Sequence, residues 1–318
     1  MAAMSVGSGP LVPSRLAPGG VAHGNRRAPT TVLGAYIALT KPRIIELLLI
    51  TTVPTMILAE RGWPSTWLVV ATLIGGTLSA GSANAVNMYV DRDIDALMER
   101  TQARPLVTGV IEPRNALIFA LSLQVFAFGV LWAGANLLSA VLAFAAAGFY
   151  IGVYTIWLKR TSRQNIVIGG AAGAVPVLVG WSAVQNNVTW TPLVLFIVMF
   201  LWTPPHFWAL AVKYADDYRA ADVPMLPSVV PMAEVVRQMI WYTVALCIST
   251  LVLIPVADLG WIYGIAAVVL GAVFLGGTIA LGKNPSEAAS MRLFGFSITY
   301  VSLLFGAMSL DVFVQYGF

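Results

Sequence analysis

Residues 66–95 read TWLVVATLIGGTLSAGSANAVNMYVDRDID. Positions 66–90 are apolar or small, and the run is long enough to cross a bilayer, which takes about 20 residues. The run ends in a polar row in which Asn87, Asp91 and Asp95 are spaced four apart. On a helix each such step advances by about 40°, so these side chains and Asn84 share one face. Carboxylates gathered there repel each other, so the row predicts a bound divalent metal that carries a phosphorylated substrate.

The composition identifies the chain as an integral membrane protein. It is 58% hydrophobic and 10% charged, whereas a soluble domain carries about 25% charged residues. The single cysteine, Cys247, excludes an intrachain disulfide and a cysteine metal site. The net charge of +4 does not indicate nucleic-acid binding, because the Lys and Arg residues are concentrated in particular loops between the apolar segments.

The first 30 residues are rich in Gly, Pro, Ala and Ser, with Arg15, Arg26 and Arg27 and no acid. They contain no apolar core, which excludes a secretory signal. A mitochondrial transit peptide is the alternative to the disordered bacterial tail that the prolines and glycines favour. We therefore expect a disordered cytoplasmic tail over 1–32 and a single membrane domain over 33–318.

Apolar runs and loop charges together predict nine transmembrane helices and their orientation. The nine segments are 44–60, 66–90, 115–135, 137–158, 165–184, 190–212, 236–257, 259–281 and 292–315. Of the 18 Lys and Arg residues, all except Arg61 fall in the N-terminal part or in alternate loops. The positive-inside rule then predicts a cytoplasmic N-terminus and a C-terminus on the opposite side.

A second acidic loop accompanies the first. The loops after the second and sixth predicted helices hold nine of the fourteen acids, and both are predicted to be cytoplasmic. Asp217, with Asp216, is therefore a candidate for a second metal cluster. The arrangement indicates a pseudo-repeat in which two helix ends face one cavity.

Cations on the same side of the membrane are candidates for holding phosphate oxygens, and arginine can bind phosphate through two parallel hydrogen bonds. The candidates are Arg104, Lys159, Arg160 and Lys213. Each is also a candidate for an anchor at the cytoplasmic face.

His206 lies inside the sixth predicted helix, in Trp202-Thr-Pro-Pro-His-Phe-Trp208. A histidine within a membrane is costly and often functional. Three roles stay open: ligating haem iron, hydrogen bonding a substrate carboxylate, or packing as a neutral partner beside Pro204 and Pro205.

Several strings resemble the UbiA superfamily of intramembrane prenyltransferases, and within it the protohaem IX farnesyltransferase (haem O synthase) branch. Asn87-x3-Asp91-x3-Asp95 resembles the first aspartate-rich motif of the superfamily. The strings that resemble the branch are Thr40-Lys-Pro-Arg43, Met98-x-Arg-Thr101, Arg104-Pro105, Lys159-Arg-Thr161, Asn165-Ile-Val-Ile-Gly-Gly170, Thr203-Pro-Pro-His-Phe-Trp208 and Pro224-Met-Leu-Pro227. The second motif of the superfamily is usually Asp-x3-Asp, whereas this chain has Lys213-x3-Asp217.

The resemblance implies a nine-helix bundle around a central cavity that is open to lipid. It also implies Mg²⁺-dependent transfer of a farnesyl group from farnesyl diphosphate to a vinyl group of haem B, with addition of water. The products would be haem O, for haem–copper oxidase biogenesis, and pyrophosphate. Haem B is then a substrate, and an oxidase-assembly protein or a haem A synthase is a potential partner.

These residues receive the following expected roles. Asn87, Asp91, Asp95, Asp217 and Lys213 are the candidate catalytic residues, and all of these except Lys213, together with Asp216, are the candidate metal ligands. Substrate binding is assigned to Arg104, Lys159, Arg160, His206 and Asn84. The expected location is the bacterial plasma membrane, with the mitochondrial inner membrane as the alternative.

Three other functions compete with this one. A prenyltransferase that acts on an aromatic quinone precursor would use the same motif, but the strings around His206 and Pro224 argue against it. A transporter would favour polar residues at mid-membrane in several helices, whereas the acids here gather at one face. A haem-binding assembly protein without catalysis would not need the carboxylate row.

Overall fold

A computed structural model describes residues 31–318, apart from the side chains of Arg43, Ile44 and residues 46–49. The described part is helical and contains no strand. The tail predicted over 1–32 lies outside the described residues except for its last two. The helices are α1 Val32–Thr40, α2 Pro42–Glu60, α3 Thr66–Val90, α4 Arg92–Leu97, α5 Pro113–Gly134, α6 Leu137–Phe149, α7 Lys159–Thr161, α8 Asn165–Gln185, α9 Trp190–Lys213, α10 Ala215–Ala220, α11 Leu226–Val229, α12 Met232–Val256, α13 Trp261–Lys283 and α14 Glu287–Tyr316. A π-helical segment, Tyr150–Leu158, joins α6 to α7 and makes one continuous rod of Leu137–Thr161.

Eight helices in the described part are long and apolar enough to cross a membrane, which confirms that the chain is an integral membrane protein. They are Thr66–Val90, Pro113–Gly134, Leu137–Thr161, Asn165–Gln185, Trp190–Lys213, Met232–Val256, Trp261–Lys283 and Glu287–Tyr316. Their bounds lie within about five residues of the predicted ones. Asn136 separates the third and fourth predicted helices, because its side chain accepts a hydrogen bond from Ser139 N at 2.9 Å and caps α6.

The predicted count of nine is one too high by this criterion. The remaining predicted segment, 44–60, lies in α2, where Ile50–Glu60 is a shorter apolar stretch within the part whose side chains the structure describes. The 19-residue α2 is nevertheless about 28 Å long. It begins after Lys41, which contacts Asn87, and ends before Arg61, which contacts Tyr316. The helix thus connects the two ends of the bundle.

Small residues let α3 pack closely against its neighbours. A Cβ atom on Gly75 would lie 2.5 Å from the Leu131 side chain of α5, so only glycine fits at this crossing. Ser82 donates to the Ala120 carbonyl at 2.7 Å, and Ser79 donates to the Ala143 carbonyl at 3.2 Å. Such contacts between small residues are a common way to join helices in lipid, and they fix the position of the polar end of α3.

The same order of elements occurs twice. The long helix α3 is followed by the six-residue α4, and α9 is followed by the six-residue α10. Both short helices carry two acids in their first turn. The backbone N–H of Arg100, just after α4, donates to Asp217 Oδ2 in α10 at 3.3 Å. The two acidic loops therefore meet, whereas the cavity that the pseudo-repeat predicts between them stays a prediction.

Two shallow grooves lie on exposed faces of the bundle. One, of about 350 Å³, is formed by α5 residues around Leu121 and Val125, and the other, of about 210 Å³, by α3 residues around Ile74. Both are apolar surfaces of the kind that lipid chains cover. The central cavity remains a prediction.

Candidate active site

The polar row at the end of α3 is buried. Asn87, Asp91 and Asp95 are 2%, 0% and 1% exposed. Although α3 ends at Val90, hydrogen bonds from Asp91 N to Asn87 O (2.9 Å) and from Asp95 N to Asp91 O (2.8 Å) continue the helical pattern into α4. The four-residue spacing therefore holds across the junction, and the three side chains share a buried face.

Each buried carboxylate is hydrogen-bonded to a cation through one oxygen only. Lys159 Nζ contacts Asp91 Oδ2, and Arg104 Nη1 contacts Asp95 Oδ2. The Oδ1 atoms of both aspartates are buried and make no hydrogen bond. A buried polar atom without a partner is costly, so these two oxygens are positions where a ligand would be favoured.

Lys41 completes this group, and the sequence interpretation assigned it no role. Its Nζ donates to Asn87 Oδ1 at 2.7 Å. Lys41 separates α1 from α2 with a left-handed backbone (φ 53°, ψ 63°), directly before Pro42, which cannot continue the preceding helix. Burial, and then the charges of Arg104 and Lys159, hold the pKa of the Lys41 ammonium well below its usual range. The helix break in Thr40-Lys-Pro42 was the signal that could have identified it.

Asn84 belongs to the scaffold of this site. Its side-chain nitrogen donates to the Thr40 carbonyl at 3.0 Å, which attaches the break between α1 and α2 to α3. The structure therefore places Asn84 on the same face as Asn87, as predicted, but its side chain is hydrogen-bonded to a backbone carbonyl. Its assigned role in substrate binding is not supported by this contact.

Arg160 lies at the edge of the site. Its guanidinium donates two hydrogen bonds of 2.7 Å to the carboxylate of the exposed Asp93 and one of 3.1 Å to the Val90 carbonyl. The pairing with Arg160 lowers the pKa of Asp93 to about 2. Arg160 also forms a long ion pair of 3.9 Å with Asp91 Oδ1, so it reaches the edge of the buried row without a hydrogen bond to it.

In the second acidic loop the two neighbouring aspartates differ. Asp217 accepts from Arg100 N, whereas the side chain of Asp216 is 97% exposed and pairs with Arg219 one helical turn away. Asp216 is therefore not brought to the site, because adjacent residues on a helix point about 100° apart. Lys213 also faces elsewhere and pairs with Glu287 at 3.1 Å.

Arg100 is a second residue to which the sequence interpretation gave no role. Its guanidinium lies over the rings of Tyr214 (5.1 Å) and Tyr218 (5.8 Å) and donates to the Tyr218 hydroxyl at 3.3 Å. Together with the contact from its backbone to Asp217, this side chain connects the first acidic loop to the second. The signal was its position in the string Met98-x-Arg-Thr101.

His206 is packed into an aromatic cluster. Its ring stacks on Trp202 (4.1 Å between centroids) and on Phe294 (4.7 Å), and its Nδ1 lies 2.6 Å from Ser297 Oγ. It is 6% exposed. Of the three roles left open by the sequence, this geometry favours packing.

The residues present fit a magnesium ion that is bound by only a few protein groups. No group of three His, Cys, Asp or Glu side chains forms a metal cage in the described part of the chain. The donor set is two carboxylates, each with a buried oxygen that makes no hydrogen bond, and the amide oxygen of Asn87. Mg²⁺ is usually held by one or two carboxylates together with substrate phosphates and water, and this set suits that mode.

Comparison with known proteins gives a family match and close relatives. The model of the UbiA prenyltransferase family matches residues 48–304. A protoheme IX farnesyltransferase of Paenarthrobacter aurescens (strain TC1) is 52% identical over 285 residues, covering 88% of this chain and 89% of its own. One of Parafrankia sp. (strain EAN1pec) is 53% identical over 281 residues, covering 86% and 89%.

Solved structures share the fold at low sequence identity. A digeranylgeranylglyceryl phosphate synthase superposes with a TM-score of 0.73 at 16% identity, covering 88% of this chain and 98% of its own. A UbiA homolog from Archaeoglobus fulgidus bound to DMAPP and Mg²⁺ gives a TM-score of 0.62 at 18% identity, covering 88% and 99%.

Proposed function

Because the chain belongs to the protoheme IX farnesyltransferase branch of the UbiA prenyltransferase family, we propose that it transfers the farnesyl group of farnesyl diphosphate to a vinyl group of haem B. Water adds in the same reaction, and the products are haem O, for haem–copper oxidases, and pyrophosphate. One observation carries the proposal: two buried carboxylates, each with an oxygen that makes no hydrogen bond, lie among three cations at one helix end.

Asn87, Asp91 and Asp95 would hold Mg²⁺ through the amide oxygen and the two unpaired carboxylate oxygens. The ion would neutralise charge on the diphosphate as it leaves. Asp217, from the second acidic loop, is proposed as a further ligand on the other side of the diphosphate. We leave Asp216 out of this set because it is exposed and paired with Arg219.

The cations of the site already have partners that substrate binding would replace. Lys41, Arg104 and Lys159 contact Asn87, Asp95 and Asp91. An ion bound at the Oδ1 atoms would weaken the attraction of each carboxylate for the cation on its Oδ2 atom, so these cations could turn to donate to phosphate oxygens. Charge-assisted hydrogen bonds of this kind stabilise a leaving group strongly in a site with little water.

Arg160 and Lys213 are proposed as cations of the entrance. Both are partly exposed, and their present partners, Asp93 and Glu287, are exposed as well. Exposed ion pairs contribute about 0–1 kcal/mol, so an arriving diphosphate can exchange for either partner at little cost.

The bond between C1 of farnesyl and the diphosphate oxygen breaks, and pyrophosphate leaves with the electron pair. The allylic cation is attacked by the terminal carbon of a haem vinyl group, which forms a carbon–carbon bond. Water adds to the resulting cation beside the porphyrin ring and loses a proton, which leaves a hydroxyl group. These steps require no redox change at the haem iron.

We propose the bacterial plasma membrane as the location, with the N-terminus and the active site on the cytoplasmic side. Supporting this, the only Lys or Arg on the opposite side in the predicted topology, Arg61, contacts Tyr316 near the C-terminus at 2.7 Å. The site and the C-terminus thus lie at opposite ends of α2. An oxidase-assembly protein or a haem A synthase is the partner class that would accept the product.

A mass-spectrometric assay tests the proposal. Purified protein with haem B, farnesyl diphosphate and Mg²⁺ should give a product heavier by one farnesyl group and one hydroxyl group. In H₂¹⁸O the added oxygen should be labelled. Mesohaem, which carries ethyl in place of vinyl groups, should give no product. Farnesylation of a quinone precursor in preference to haem, or no product at all, would refute the assignment.

A further inference from the structure

We propose that Thr155 is a positioning residue: it holds the side-chain amide of Asn87 so that the amide oxygen faces the bound ion and diphosphate. The inference rests on the proposed function, since it explains how one ligand of the site is kept in a productive orientation. Thr155 is 0% exposed and lies in the π-helical segment, 68 residues from Asn87 in sequence.

Three contacts determine the orientation of the Asn87 amide. Its nitrogen donates to Asp91 Oδ2 at 2.7 Å and to Thr155 Oγ1 at 3.1 Å, and its oxygen accepts from Lys41 Nζ at 2.7 Å. A carboxylate can only accept and an ammonium can only donate. These contacts therefore agree on one orientation of the amide.

Thr155 could either donate or accept, and its own environment decides which. Its hydroxyl hydrogen is used in a 2.9 Å hydrogen bond to the Tyr150 carbonyl, five residues earlier. The hydroxyl oxygen is therefore left to accept from Asn87. The five-residue reach matches the π-helical pattern, in which Lys159 N likewise bonds to Tyr154 O. Such segments often lie at functional sites.

The contacts differ in what happens to them when substrate binds. In the proposed function Asp91 becomes a ligand of the ion and Lys41 turns to phosphate oxygens, so both change partners. Thr155 has no ligand to bind in that scheme. The hydrogen bond from Asn87 to Thr155 is then the contact that persists. It keeps the amide nitrogen turned away from the ion, because the N–H hydrogens of the amide would repel a cation. Outer partners that orient metal ligands commonly change metal affinity by about 10–100-fold.

Binding of Mn²⁺ in the presence of inorganic pyrophosphate, followed by electron paramagnetic resonance on the purified protein, tests the role. Thr155→Val keeps the shape but loses the acceptor, and we expect Mn²⁺ affinity to fall by about 10-fold or more. Thr155→Ser keeps the hydroxyl and should stay within about 3-fold of the native protein. Thr243→Val is the matched control, since Thr243 makes a similar 2.8 Å bond to the Met239 carbonyl in α12, and it should bind Mn²⁺ normally.

Native-like affinity in Thr155→Val, or equal losses in the serine and valine variants, would overturn the positioning role. If neither variant folds, a structure of the native protein with Mg²⁺ and pyrophosphate decides the question. In that structure Asn87 Nδ2 must remain within hydrogen-bond distance of Thr155 Oγ1. The haem assay is run in parallel. Native protein that binds Mn²⁺ and pyrophosphate but does not farnesylate haem would contradict the proposed function and leave this inference standing.

Discussion

Lys159 contacts only one carboxylate oxygen of Asp91, and the other oxygen of this fully buried residue makes no hydrogen bond. A buried aspartate that is half satisfied is unfavourable for folding alone. The same arrangement suits a site in which the free oxygen binds an ion and the lysine turns to phosphate. The charges around Asp91 are therefore better explained by binding than by stability.

Lys41 provides the first prediction. Lys41→Met removes a cation from the site, while residue 41 keeps the same left-handed backbone. We expect the KM for farnesyl diphosphate to rise by about 10-fold, which corresponds to the loss of one charge-assisted hydrogen bond. Steady-state kinetics of haem farnesylation measures this change. Lys283→Met, at the exposed end of α13, is the control and should leave KM unchanged. Equal KM values for Lys41→Met and the native protein would exclude Lys41 from diphosphate binding.

The neighbouring aspartates of α10 provide the second prediction. Asp217 contacts the first acidic loop by accepting a hydrogen bond from Arg100 N. Asp217→Ala should lower kcat/KM by at least 10-fold, because it removes either a metal ligand or a residue that orients one. Asp216→Ala should stay within about 2-fold, since a surface ion pair contributes about 0–1 kcal/mol. The same kinetic assay compares the two variants. A larger loss from Asp216→Ala would show that the loop is turned differently when substrate is bound.

A third prediction concerns His206, which we expect to stabilise the fold by packing. His206→Ala leaves a cavity between Trp202 and Phe294, and large-to-small changes of this kind cost about 2–5 kcal/mol. The melting temperature in detergent should fall, whereas the Soret band of bound haem B should be unchanged. Ser297→Ala, which removes only the hydrogen bond to Nδ1, should give a smaller decrease. A shifted Soret band in His206→Ala would instead indicate ligation of the iron.

The sequence predicted the features that depend on local periodicity. The apolar runs gave eight of the helices, and the four-residue spacing placed Asn87, Asp91 and Asp95 on one buried face. Features that depend on contacts between distant segments were missed. Nothing in the sequence marks the π-helical segment, because a 3.6-residue period does not anticipate hydrogen bonds that span five residues.

The roles of single charged residues were the least predictable. Asp216 and Asp217 are adjacent in sequence, yet one is exposed and the other contacts Arg100. The sequence interpretation treated Lys41 and Arg100 as parts of longer strings only. Their contacts with Asn87 and Asp217 depend on the helix break at Pro42 and on the meeting of the two acidic loops, which join segments that are distant in sequence.

Asp91→Asn tests the central claim most directly, with pyrophosphate release and farnesylated haem measured in one reaction. We expect both to fall by at least 100-fold, of the order found when a group that stabilises a leaving charge is removed. Loss of its buried partner leaves Lys159 uncompensated, at a cost of about 3–5 kcal/mol, so Asp91→Asn combined with Lys159→Met should recover stability without activity. Asp93→Asn, on the exposed side of the same turn, should retain most of the activity. Near-native pyrophosphate release by folded Asp91→Asn protein would contradict the account.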